Sequence, residues 1–210
     1  LPNTLLNEQV PYHPDACQGA ETPARPPVLQ ESVTERIVSV FNQCFSAAEG
    51  LNTRLVGGNP EPYYRPAGNG WNHHRVEFTR DYPASALHEA AHWCVAGAER
   101  RRLPDYGYWY APDGRSAEQQ AEFERVEVKP QALEWIFSAA CGMKFRVSAD
   151  NLDAGLGPSD RFQRDIWQQV QHYCTHGANA RVTRFARALA AAFAMGDPFT
   201  PGIYRLEDLG

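Results

Sequence analysis

The chain has 210 residues, 43% hydrophobic and 21% charged, enough for one ordinary core and little more. Its 20 lysines and arginines stand against 25 aspartates and glutamates, and a net charge of −5 gives no electrostatic case for a nucleic-acid partner. No apolar run of about 18 residues occurs, so no transmembrane helix is expected, and no basic-then-apolar leader is visible in the residues given.

Residues 1–31 read as a Pro-rich arm. Pro11, Pro14, Pro23, Pro26 and Pro27 keep its backbone extended and block helix. A metal-dependent catalytic domain is expected over residues 32–210. Ser32 and Glu35 have capping-box spacing, and Ile37, Val40, Phe41, Cys44 and Phe45 then recur at helical spacing as one apolar stripe. Residues 50–75, rich in Gly, Pro and Asn, should be mostly loop with a short strand near Thr53–Val56. Val76–Thr79 reads as a strand with Val76 and Phe78 on one face. A helix from about Ala84 to Arg101 follows, ended by Pro104. Tyr106–Tyr110 is aromatic and strand-like, and Pro112-Asp113-Gly114 is a turn signal. Ser116 with Gln119 opens a helix to about Cys141, with Gly142 as its stop and Pro130 set to kink or divide it. Residues 144–158 should be loop. Two helices close the domain, with stripes Phe162, Ile166, Val170, Tyr173 and Val182, Phe185, Leu189, Phe193. The expected class is α+β in a single domain, mostly helical with a small sheet.

The five cysteines, Cys17, Cys44, Cys94, Cys141 and Cys174, are widely spaced and lack a CxxC pair. That argues against a disulfide framework or a zinc knuckle and suits reduced thiols in a cytoplasm. Cys94, Cys141 and Cys174 sit among apolar residues as core filler.

Chemistry concentrates in His88-Glu89-Ala90-Ala91-His92. On a helix, residues four apart share a face with Cβ atoms about 6 Å apart, so the two imidazoles can hold one ion. Glu89 lies one step round, where it reaches a metal-bound water without replacing a histidine. A third ligand is needed that leaves positions open. Glu118, Glu122, Glu124, Glu127 and Glu134 on the next long helix are the candidates, with Glu127 preferred and Glu124 its main competitor. Glu127-Val128-Lys129-Pro130-Gln131-Ala132 resembles the second metal helix of gluzincin-type metalloproteases. There a ligating Glu is followed four residues later by a group that orients a histidine. The resemblance gives Gln131 that outer role, where the family usually has Asp.

Other histidines carry less. His73 and His74 are adjacent, so only one could line the site; a surface role suits them better. His172 and His176 share a helical face with no acid between them and read as surface or packing residues. Arg100-Arg101-Arg102 suits the end of a helix dipole. Tyr106, Tyr108 and Tyr110 would share one strand face as an aromatic wall able to hold a lysine stem and its cation, with Trp109 opposite. Asp105, Asp113, Glu122 and Glu124 are the nearest acids for a terminal ammonium.

Several strings are longer than a metal motif. Ser85-Ala86-Leu87-His88-Glu89-Ala90-Ala91-His92-Trp93-Cys94, Asp105-Tyr106-Gly107-Tyr108-Trp109-Tyr110, Pro112-Asp113-Gly114-Arg115 and Val126-Glu127-Val128-Lys129-Pro130-Gln131-Ala132-Leu133 resemble the elongation factor P hydroxylase family. The similarity covers roughly residues 33–195. It implies a zincin-like pair of metal helices and one Fe(II) per chain held by His88, His92 and Glu127, with Glu89 beside it as a catalytic group. It also implies oxygen-dependent hydroxylation of the β-lysylated lysine of translation elongation factor P, in the cytoplasm. By the motif alone the reading is a zinc metallohydrolase, in which Glu89 accepts a proton from metal-bound water; two histidines and one carboxylate with open positions are equally the triad of iron oxygenases, and the resemblance favours iron. A binding module with a structural metal would need a fourth ligand, and none is obvious.

Overall fold

A computed structural model of the chain describes residues 31–47, 50–68, 70–107, 115–148 and 158–209. Except for Glu31, the expected Pro-rich arm lies outside them, as do Tyr108, Trp109, Tyr110 and Asp113. The first helix, α1 (Val33–Phe45), starts at the expected capping box: Ser32 Oγ accepts from the Glu35 amide at 3.1 Å, and Glu35 accepts from the Ser32 amide at 2.7 Å. Its stripe of Ile37, Val40, Phe41, Cys44 and Phe45 is buried.

A three-stranded sheet follows, made of β1 (Thr53–Asn59), β2 (Tyr63–Arg65) and β3 (His74–Thr79) in the order β1-β3-β2. β1 runs parallel to β3, and β2 antiparallel to it. β2 lies in the segment expected to be loop, because three residues are too few to display an alternating pattern. Leu55 and Tyr64 both pair with Val76, and all three are buried, giving the sheet one core face. Gly57 is obligatory where the register of β1 against β3 shifts between Val56 and Asn59: a Cβ there would stand 2.7 Å from the Phe78 ring and 2.8 Å from the Arg80 carbonyl oxygen.

α2 (Pro83–Val95) lies against β3, α1 and α3 (Ala117–Ala140). It stops well before the expected Arg101, and the reason is tertiary. Arg181 donates to the carbonyls of Cys94 at 3.0 Å and Ala96 at 2.7 Å, Asn179 to Cys94 at 3.0 Å and Arg101 to Ala96 at 2.6 Å. With its last carbonyls satisfied from outside, the helix has no need of another turn. Arg101 thus serves a neighbouring backbone rather than a helix dipole.

Two 3₁₀ turns follow, Arg100–Arg102 and Pro104–Gly107. The second overturns the expected strand at its start, since Asp105 (φ 49°) and Tyr106 (φ 56°) are both left-handed. α3 keeps its capping box of Ser116 and Gln119 and passes through Pro130 without dividing. Gly142, at φ 68°, ends the run as expected. α4 (Asp160–His176) and α5 (Ala180–Ala192) complete an α+β domain, mostly helical with a small sheet. Phe41, Phe45, Trp93, Phe137 and Phe185 form an aromatic centre in which neighbouring rings lie 4.7–6.2 Å apart. Among the described residues, no helix is long and apolar enough to cross a membrane.

Candidate metal centre

α2 turns its small residues Ala86, Ala90 and Ala91, all fully buried, toward the interior. Its other face carries His88 and His92. Their ring centroids are 4.6 Å apart and their Nε2 atoms 3.0 Å apart. α3 supplies Glu127, which is 3% exposed. One carboxylate oxygen lies 3.3 Å from His92 Nε2 and the other 3.6 Å from His88 Nε2. The three potential ligand atoms all lie within 4.8 Å of one another.

α3 presents more than Glu127 here. Gln131 and Glu134 follow at helical spacing, and all three polar side chains are buried. Glu134 Oε2 lies 2.7 Å from His88 Nδ1. This carboxylate fixes the ring tautomer, leaving the Nε2 lone pair free to ligate, and it raises the basicity of the ring. The residue expected to orient a histidine, Gln131, does something else. Its amide holds the backbone of Ser148 through bonds of 2.8 and 3.1 Å and approaches Glu127 at 3.5 Å. Position i+4 from Glu127 is occupied with the chain after α3, and position i+7 reaches the histidine instead. The heptad spacing of polar residues on an otherwise buried helix face was a signal visible in the sequence.

The competing acids go elsewhere. Glu124 accepts from Ser159 Oγ at 2.8 Å, Glu122 pairs with Arg125 at 2.6 Å, and Glu118 accepts from Ser116 Oγ at 2.9 Å. His74 accepts from the Ala67 amide at 3.0 Å and stacks on Tyr64, while His73, expected at the surface, is buried beside Asn72. His172 and His176 stack on each other at an exposed face of α4. Tyr106 is 4% exposed, stacked 4.3 Å from Tyr64, so its ring forms part of the core.

The electrostatics favour a cation. Burial opposes charge on His88, but Glu134, Glu127 and Glu89 outweigh it and raise the imidazole pKa to about 10. Burial would likewise raise Glu127, yet His92, His88 and the Gln131 amide hold it down at about 2. Glu89 is pushed above the usual carboxylate range, chiefly by burial, with Glu127 and Asp105 adding to the shift against the two histidines. Two imidazole nitrogens and a carboxylate converging in a buried, net-anionic setting can hold a metal ion. Replacing Glu134 by Gln should lower metal affinity about 10–100-fold, as expected for an outer-shell partner, with little change in fold. Competition with a coloured chelator would read this out; an affinity within about twofold of wild type would remove Glu134 from the centre.

Comparison with known proteins adds identity to geometry. Residues 40–200 match the family described as Elongation factor P hydroxylase. A curated relative from Haemophilus influenzae, named Elongation factor P lysine hydroxylase, is 48% identical over 167 residues, which span 80% of this chain and 93% of that protein.

Proposed function

We propose a function from one premise: this chain belongs to the elongation factor P hydroxylase family. It is an enzyme that hydroxylates the β-lysylated lysine of translation elongation factor P at a mononuclear centre of His88, His92 and Glu127. The observation that supports this reading is the convergence of those three donors on one point between α2 and α3. Two histidines and one carboxylate with open positions suit Fe(II) as well as zinc. A hydroxylation needs a redox-active ion, so the proposed cofactor is one Fe(II) per chain. When bound, iron supplies activation of dioxygen, which zinc cannot.

The side chains divide the remaining work. Glu134 holds His88 in one orientation, and Gln131 steadies Glu127 against the chain at Ser148. Glu89, made more basic by burial and by its acidic neighbours, accepts or returns a proton beside the centre. The Tyr106 hydroxyl is buried without a hydrogen-bond partner among the described residues. From sequence alone, Tyr108 and Tyr110 are proposed as substrate contacts, whereas Tyr106, expected beside them, is a core residue. The unpaired thiols of Cys44, Cys94, Cys141 and Cys174 fit a reducing compartment, the cytoplasm, where the substrate would be met.

Iron-loaded protein supplied with dioxygen and a two-electron reductant should add one oxygen atom to β-lysylated elongation factor P, read as an intact-mass gain, and zinc-loaded protein should add none. Equal turnover with zinc, or cleavage of the polypeptide, would overturn the proposal in favour of a metallohydrolase.

A further inference from the structure

Glu127 meets the two histidines almost symmetrically. Oε1 lies 3.3 Å from His92 Nε2 and Oε2 lies 3.6 Å from His88 Nε2, so by position either oxygen, or both, could ligate an ion. Gln131, one helical turn further along α3, breaks that symmetry. Its Nε2 reaches Oε2 at 3.5 Å. That is a long hydrogen bond, strengthened because the acceptor is a buried carboxylate. When an ion is bound, the two histidine nitrogens turn their lone pairs to it and cease to be partners for the carboxylate. The Gln131 amide remains, and it engages one oxygen alone.

The direction of that amide is fixed from its other side. A carboxamide can be turned over, exchanging its oxygen and its nitrogen. Here the Ser148 amide donates to Gln131 Oε1 at 3.1 Å, and Gln131 Nε2 donates to the Ser148 carbonyl at 2.8 Å. Turned over, the side chain would set donor against donor and acceptor against acceptor at Ser148. The backbone pair therefore holds the oxygen at Ser148 and leaves the second Nε2 hydrogen for Glu127. Gln131 is 1% exposed, and a buried amide needs all of these bonds made.

We propose that Gln131 is a positioning residue that keeps Glu127 a one-oxygen ligand: its N–H holds Oε2 back and leaves Oε1 to the metal. This rests on the mononuclear-centre reading above and extends it to how many positions on the ion stay open. A carboxylate bound through both oxygens takes two positions, and one bound through a single oxygen takes one. The hydrogen bond to Oε2 thus frees one more position for the reaction. Because the same amide is clamped on the Ser148 backbone, the carboxylate is restrained by the chain that follows α3 and not by α3 alone.

The test counts water ligands on Mn(II), an ion that takes the same oxygen and nitrogen donors as Fe(II) and is silent without a substrate. Wild type and Gln131→Met are loaded with Mn(II), and the broadening of its electron paramagnetic resonance lines in oxygen-17 water gives the number of bound waters. Wild type should hold one water for each protein ligand. Gln131→Met, with both carboxylate oxygens on the ion, should hold one fewer at unchanged metal content. Its iron-loaded form should lose about 10–100-fold in kcat. A wild type already one water short would overturn the assignment, and that result needs no variant to fold. Equal counts in the two proteins would also overturn it; a lower melting temperature with the wild-type count would mean that Gln131 holds Ser148 and nothing more. Wild type that takes up neither Mn(II) nor Fe(II) would bring down the metal-centre reading itself. The count needs no turnover, so a failure of the hydroxylase reading would show separately, as iron-loaded wild type that leaves lysine unmodified.

Discussion

Glu127→Ala should lose its metal on dialysis and all measurable turnover, while Glu124→Ala keeps both near wild type. Glu127 is the acid on α3 that meets both histidines, at 3.3 and 3.6 Å, and it is almost fully buried. Without it two imidazoles remain, too few donors to hold a divalent ion against exchange. The loss should exceed the roughly 10–100-fold expected for removing the outer partner Glu134. Glu124 is engaged with Ser159 at the start of α4, so its removal touches the surface alone. Metal content by mass spectrometry after dialysis, alongside turnover, separates the two variants. Full metal retention in Glu127→Ala with loss in Glu124→Ala would move the third ligand.

Trp93→Ala should be the most destabilising single truncation near the centre, by about 3–5 kcal/mol. Trp93 is fully buried, its ring 5.3 Å from Phe41 and 4.7 Å from Phe45, with the Arg181 guanidinium 4.9 Å above it. Arg181 in turn closes the end of α2 by bonding Cys94 and Ala96. The indole thus joins α2, which carries His92 next in sequence, to α1 and α5. Removing it leaves a cavity and loosens the residue that caps the metal helix. For a domain of this size the melting temperature should fall by about 6–20 °C, and added metal should recover part of the loss by binding the folded state. Thermal denaturation followed by circular dichroism checks it; a fall below about 2 °C would mean the core closes without the indole.

Much of this was legible in the sequence because it depends on local spacing. The two capping boxes, the stripe of α1, the stop at Gly142 and the pairing of His88 with His92 each follow from residues within about two helical turns of one another. What was not legible depends on distant partners. α2 ends at Val95 because Asn179 and Arg181, over 80 residues later, take its carbonyls. The left-handed turn at Asp105 and Tyr106 reads as a strand from composition, because aromatic residues favour sheets, and is imposed by contacts with Tyr64 and Leu103. Glu134 looked like one more candidate ligand. The spacing of Glu127, Gln131 and Glu134 marks one polar stripe, but that Glu134 meets His88 follows from the helix pairing of α2 with α3.

The most direct test of the central claim is the source of the added oxygen atom. Iron-loaded protein and β-lysylated elongation factor P are incubated with a two-electron reductant such as ascorbate under isotopically heavy dioxygen in ordinary water, one oxygen atom entering the lysine and the other leaving as water, and the modified lysine is analysed by mass spectrometry. An oxygenase built on His88, His92 and Glu127 predicts one heavy oxygen on the lysine side chain, none without iron, and none with Glu127→Ala. Incorporation of ordinary oxygen from water, or cleavage of an amide bond with zinc in place of iron, would contradict it.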